Sequence, residues 1–178
     1  MTDSRASIHV VPYDSRWPDR FEQERQVLAD VLGPWLVGPI EHVGSTAVPG
    51  LAAKPVIDIM AAVRNLESSR AVIAALSEFG YCYSAYRDDV MHWFCKPSPA
   101  IRTHHLHVVP FQSQLWFDRL AFRDFLRAHP TVAMDYASLK RTLAKQHETD
   151  RDAYTDAKSP FVETVLRMVA EASQNGAG

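Results

Sequence analysis

Much of what would assign this chain to a familiar class is missing from it. It has two cysteines, Cys82 and Cys95, in 178 residues. Neither has a C-x-x-C partner, so a structural zinc site and a disulfide scaffold find no support, and free thiols in a reducing cytoplasm are expected. Charge of one sign is not in excess: 19 Lys plus Arg stand against 21 Asp plus Glu, a net charge of -2. That argues against duplex nucleic acid as a partner, which calls for a basic footprint. No apolar run approaches the roughly 20 residues of a membrane-spanning helix. The first ten residues carry Asp3, Ser4, Arg5 and His9 and lack the apolar stretch of a signal peptide or anchor. The P-loop pattern G-x-x-x-x-G-K-S/T and the nucleophile elbow G-x-S-x-G are also absent. Repeats, low-complexity blocks and linkers are absent too, so one domain over residues 1–178 is expected, with an ordered core of about 8–172 and a disordered tail over 173–178.

What is present alternates between strand and helix signals. Residues 15–32 predict a helix that Ser15 could cap, with Pro18 in the first turn, Trp17, Phe21, Leu28 and Leu32 near one stripe, and Gly33 at its end. Strands are expected over 40–43 and 55–62, then a helix over 67–79 stopped by Gly80. Residues 81–86 and 91–96 read as a hairpin that sets Cys82 opposite Cys95, Ser84 opposite Trp93 and Tyr86 opposite Met91. A further strand over 101–109 precedes three helices, over 113–128, 130–147 and 160–172, the last capped by Ser159. Strands first and helices afterwards make the fold α+β.

The chemistry concentrates between residues 41 and 60. Gly44 and Ser45 form a turn of the kind that cradles phosphate: glycine lets backbone approach closely, and a serine hydroxyl donates to anionic oxygen. Asp58 follows on a strand, where a hard oxygen ligand suits Mg²⁺. Asp58 and Met60 share a strand face, so the second carboxylate that a two-metal site wants is missing. The same residues also fit a plain turn followed by a structurally paired aspartate. On the strand over 101–109, period two puts His105 and His107 on one face and His104, Leu106 and Val108 on the other. Two imidazoles beside one carboxylate could bind a metal, hydrogen-bond a phosphate, act as acid and base near neutral pH, or satisfy buried polar partners.

Gly44-Ser45 followed by Asp58-Ile59 resembles the opening motif of the nucleotidyltransferase-like superfamily. The longer strings HVGSTAVPGLAAKPVIDI, RTHHLHVV, FRDFLRAHP and YTDAKSPFV look like the GrpB family, also called UPF0157, over about residues 13–169. That family is similar in fold to nucleotidyltransferases and also occurs as a C-terminal accessory domain of some dephospho-CoA kinases. The resemblance implies a mixed sheet with an N-terminal helix and a C-terminal helical half. It implies a nucleotide or phosphorylated small molecule as partner, with a divalent cation, Mg or Mn. Gly44, Ser45 and Lys54 would bind substrate, with Arg123, Lys140 and Lys158 matching family positions in the helical half. Asp58, His105 and His107 would be catalytic, and Asp58 with His107 would hold metal. Transfer of a nucleotidyl group to a small acceptor is the implied reaction; a non-catalytic folding or interaction module is the alternative.

Overall fold

The computed structural model describes residues 7–175. Strand β2 (Ile57–Val63) runs through its centre, apolar on both sides and buried over nearly its whole length, as befits a strand covered on two faces. Around it a five-stranded mixed sheet takes the order β1-β2-β5-β4-β3. The other strands are β1 (Leu36–Val43), β3 (Cys82–Ser84), β4 (His92–Pro97) and β5 (Arg102–Pro110). β2 and β5 run parallel, and the remaining pairings are antiparallel. Helices α1 (Trp17–Leu32) and α2 (Val72–Ser77) lie in the first half of the chain. Helices α3 (Gln114–Ala128), α4 (Pro130–Gln146), α5 (Arg151–Asp156) and α6 (Ser159–Asn175) form the second. This is the expected α+β arrangement of a mixed sheet with an N-terminal helix and a C-terminal helical half.

Period two sorts the sheet into two faces. Ile57, Ile59, Ala61, Val63, Leu106, Val108 and Phe94 pack with Trp17, Leu28 and Leu32 of α1 and Val72 and Leu76 of α2. The opposite face carries Met60, Ala62, Met91, Trp93, Cys95 and Val109 under Trp116 of α3. A third cluster joins Val48, Leu51 and Ala52, just beyond the glycine-serine turn, to α3, α4 and Phe161. The turn is thereby clamped where the sheet meets the helical half.

Several boundaries differ from the sequence expectations for local reasons. Ser15 does not cap α1; the Asp14 carboxylate accepts the Arg16 amide at 2.9 Å and starts the turn one residue earlier. The helix expected over 67–79 contracts to Val72–Ser77. Ahead of it the Asn65 side chain accepts the Ser68 amide at 2.8 Å, and Ser69 Oγ donates to the Asn65 carbonyl at 2.8 Å, local bonds that compete with helix. Cys82 faces Cys95 and Ser84 faces Trp93 as expected, both thiols free. β3 stops at Ser84, so Tyr86 and Met91 are not strand partners; Arg87, at φ 51°, turns the chain between them. Four helices follow β5 rather than three: Asp150 caps the unforeseen α5 by accepting the Ala153 amide at 3.0 Å. Ser159 is the first residue of α6 rather than its cap, and α6 continues to Asn175, through part of the expected tail; residues 176–178 lie outside the described part. No described helix is long and apolar enough to cross a membrane.

α1 is fixed to the sheet by one buried carboxylate. Glu24 Oε1 accepts the Tyr81 hydroxyl at 2.9 Å and Lys96 Nζ at 2.8 Å, and Lys96 lies 5.1 Å over the Tyr81 ring. Removing the carboxylate strands a buried phenol and an ammonium together. Glu24→Ala should therefore lower unfolding free energy by about 2 to 4 kcal/mol, and Tyr81→Phe by only about 1 kcal/mol. Denaturant titration of both variants checks the difference; equal losses would show that the network is not centred on Glu24.

Candidate functional site

The site is built on a row of residues that register aligns across the sheet: Val43, Asp58, His105, Cys95 and Cys82 are successive cross-strand partners. His107 lies one step along the same face, paired with Met60 and Trp93. His105 Nδ1 is 3.0 Å from Asp58 Oδ1, and His107 Nε2 is 3.7 Å from the same oxygen. His107 Nδ1 meets Met91 Sδ at 3.4 Å. Among the described residues, His105 Nε2 and His107 Nε2 are buried without a hydrogen-bond partner. Two imidazole nitrogens thus face the site uncommitted.

Desolvation works to raise the Asp58 carboxyl, but the two imidazoles beside it outweigh that and hold it well below the usual carboxylate range. Asp58 is ionised at neutral pH. Burial lowers His107 to about 4, with the Arg119 charge acting in the same sense, so His107 is neutral there.

Above this row runs the turn. Gly44 has φ 71°, and a Cβ built on it would lie 2.6 Å from Asp58 Oδ2, so only glycine lets the turn rest on the carboxylate. Ser45–Ala47 form a single 3₁₀ turn. Behind it, His42 stacks on Phe21 with ring centroids 4.7 Å apart and meets Thr46 Oγ1 through Nε2 at 2.9 Å. Arg127 donates twice to the Ala47 carbonyl, at 3.0 and 2.8 Å.

Three lysines from three separate parts of the chain close the site. Lys140 of α4, 2% exposed, donates from Nζ to Ser45 Oγ at 2.9 Å and to the Ala52 carbonyl at 2.5 Å, and lies 4.7 Å over the Tyr136 ring. Lys54 and Lys158 both lie over the Tyr154 ring, at 4.9 and 4.4 Å. Burial, reinforced by neighbouring cations, lowers Lys140 and Lys158 to about 7 and shifts Lys54 downward. Asp58 is the carboxylate that acts on all three.

Of the residues singled out in the sequence, Gly44, Ser45, Lys54, Asp58, His105, His107, Lys140 and Lys158 share this recess. Arg123 does not join them. Its guanidinium engages Glu41 and Asp124, each at 2.7 Å, and the His42 carbonyl at 3.0 Å, on the outer side of the turn, where a separate cleft is lined by Tyr13, Phe21, His42 and Arg127. Tyr136, Tyr154 and Thr46 belong to the site without having been singled out. One of them was within reach: Tyr136 and Lys140 are four residues apart and share a helix face.

A divalent cation finds a partial fit. Asp58 Oδ1 and His107 Nε2, 3.7 Å apart, could both touch one ion at about 2.1 Å each. Met60 occupies the next inward position of β2, and no group of three or more His, Cys, Asp or Glu among the described residues is placed to hold a metal. Among the described residues the pair placed for such an ion is Asp58 and His107.

The sequence profile of the GrpB protein family matches residues 7–168, and the chain belongs to that family. It is 39% identical over 173 residues to a UPF0157 protein of Pseudomonas aeruginosa, covering 94% of this chain and 70% of the relative. The crystal structure of conserved protein GrpB from Enterococcus faecalis superposes with a TM-score of 0.84 at 33% identity, over 93% of this chain and 99% of that one. A dephospho-CoA kinase of Mycolicibacterium paratuberculosis is 29% identical over 191 residues, 92% of this chain but 46% of the kinase; the chain spans less than half of that enzyme.

The brace behind the turn has a pH signature. Burial first, then the Arg127 and Arg123 charges opposed by Asp58, lower His42 to about 4 from an ordinary 6.5. The unfolded state binds the proton first, so the stability that neutral His42 contributes is complete above pH 6.5 and lost as pH falls toward 4. Its share is on the order of 3 kcal/mol at most. Unfolding free energies of the wild type and His42→Gln across that window should diverge above pH 6.5 and converge near pH 4. Parallel curves would show that His42 is not held neutral.

Proposed function

We propose that this member of the GrpB family is a cytoplasmic protein that binds a nucleotide or another phosphorylated small molecule in the recess beneath the Gly44 turn. The observation that carries the reading is Lys140 bonded to Ser45, with Lys54 and Lys158 over the neighbouring Tyr154 ring and Asp58 as the counter-charge that acts on all three. Buried cations in excess of their counter-ions are costly, and burial lowers two of these amines to about 7. An anion with several oxygens would supply the missing counter-charge, and phosphate meets that description. The unpartnered Nε2 atom of His105 would hydrogen-bond a phosphate oxygen or an acceptor hydroxyl.

If the recess is catalytic, transfer of a nucleotidyl group to a small acceptor is the reaction its chemistry suits. Asp58, ionised and oriented by His105, would take the acceptor's proton, while Lys54 and Lys158 would stabilise charge on the leaving phosphates. A divalent cation, Mg or Mn, would enter with the phosphates and take Asp58 and His107 as its protein ligands. Arg123 would act at one remove, by holding the strand end that leads into the turn.

The second reading is a non-catalytic folding or interaction module. It is favoured by Met60 in place of a second carboxylate and by the match to under half of a dephospho-CoA kinase.

Calorimetric titration with ATP, GTP, CTP, UTP and CoA precursors, with and without Mg²⁺, separates the two. The small-molecule reading expects binding that Ser45→Ala weakens by roughly 1 to 3 kcal/mol. Asp58→Asn should remove the Mg²⁺ dependence and leave the fold intact, since the near-isosteric amide keeps the packing and loses the charge. Absence of heat with every compound would leave the module reading in place.

A further inference from the structure

The contact between Lys140 and Ser45 does more than cradle an anion. Lys140 is 2% exposed, whereas Ser45 at the head of the turn is accessible in part. Around the Lys140 amine stand Lys158, Lys54 and Arg141 as cations and Asp58 as the carboxylate, with the Tyr136 ring beneath it. Three lysines sharing one carboxylate in a desolvated recess cannot all hold their protons at neutral pH. The one whose contacts are neutral is Lys140, bonded to a hydroxyl and a carbonyl. Lys54 and Lys158 lie over the Tyr154 ring as Lys140 lies over Tyr136, so the ring contacts do not separate the three; the bond to a serine hydroxyl does. Once Lys140 is neutral, the Ala52 carbonyl still takes one amine hydrogen and so orients the group. The 2.9 Å contact with Ser45 then reverses: the hydroxyl donates and the amine lone pair accepts. A serine hydroxyl hydrogen-bonded to a buried neutral amine is an activated nucleophile.

We propose that Ser45 and Lys140 form a nucleophile and general-base dyad, and that Ser45 takes the terminal phosphoryl group of a nucleoside triphosphate bound in the recess. The choice of substrate rests on the phosphate reading above; the dyad rests on the contact between Ser45 and Lys140 and on the burial of that amine. In the step, the Ser45 proton passes to the Lys140 amine while Oγ forms a bond to the terminal phosphorus. The bridging P–O bond breaks, and the nucleoside diphosphate leaves with the electron pair. The products are phosphoserine at position 45 and a Lys140 ammonium beside it. Lys54 and Lys158 supply the remaining counter-charge to the phosphoserine dianion, so the acidic product meets the cationic excess that the free recess holds.

An alkyl fluorophosphonate tests the nucleophile without depending on nucleotide affinity, because attack by Oγ on its phosphorus expels fluoride. Wild-type protein should be labelled at Ser45, as located by tandem mass spectrometry, and Ser45→Ala should not. Lys140→Met and Lys140→Arg should both slow labelling roughly 100-fold or more, the arginine keeping the charge but supplying no base. In wild-type protein the labelling rate should rise about tenfold per pH unit and level off near pH 7, where burial places the Lys140 titration. That profile decides the matter even if the Lys140 variants do not fold. No labelling of Ser45, a rate independent of pH across neutrality, or undiminished labelling of a folded Lys140→Arg would overturn the dyad. Incubation of the wild type with each nucleoside triphosphate, read by intact mass, then tests the substrate: gain of one phosphoryl group that Ser45→Ala abolishes is expected. Labelling without any such gain would overturn phosphoryl transfer while keeping the nucleophile, and calorimetric binding without labelling would keep the phosphate recess while removing the dyad.

Discussion

With φ at 71° and no side chain, Gly44 sets how close the turn can come to β2. A Cβ there would stand 2.6 Å from Asp58 Oδ2, so any other residue must push either the carboxylate or the turn away. Because the two are in contact, Ser45 is delivered to Lys140 from one side while Asp58 is delivered to His105 from the other. The segment beyond the turn extends the constraint: Val48, Leu51 and Ala52 are packed into α3 and α4, and the Ala52 carbonyl holds Lys140. The backbone of residues 44–52 is therefore the joint between the two halves of the fold and the floor of the recess.

The two faces of the sheet divide the work. On one, α1 and α2 cover an apolar surface whose polar exception, Glu24 with Tyr81 and Lys96, is internally satisfied. On the other, Asp58 near the start of β2 and His105 and His107 in the middle of β5 interrupt the apolar pattern, next to Trp93 and Met91. The lysines that answer these groups are Lys54, from the segment before β2, and Lys140 and Lys158, from the helical half. An interior that places three lysines near one carboxylate is poorly neutralised by its own groups, and this imbalance, rather than any single residue, points to an anionic ligand.

Local patterning made much of this legible in the sequence. Period two correctly put His105 and His107 on one face and His104 on the other, and hairpin symmetry aligned Cys82 with Cys95. The resemblance to the GrpB family picked out Lys140 and Lys158, which periodicity could not have joined to Ser45 across 95 residues of chain in the first case. Arg123 shows the opposite limit: a family position and a cation, it is committed to Glu41, Asp124 and a backbone carbonyl, and sequence spacing does not reveal such partners. Helix lengths failed where short polar side chains compete for the backbone, as Asn65 and Ser69 do before α2 and Asp150 does at α5.

The unneutralised cations are the centre of this account, and their titration measures it most directly. NMR spectra of the lysine ε-CH₂ groups, assigned by Lys140→Arg and Lys158→Arg, follow each amine through its own pKa. The account predicts that Lys158 loses its proton near pH 7 in the free protein, well below its ordinary 10.5, and that saturating nucleoside triphosphate moves that titration upward by a unit or more, as expected when a phosphate supplies the missing counter-charge. A Lys158 that titrates near 10.5 in the free protein, or one whose titration no phosphorylated compound shifts, would contradict it.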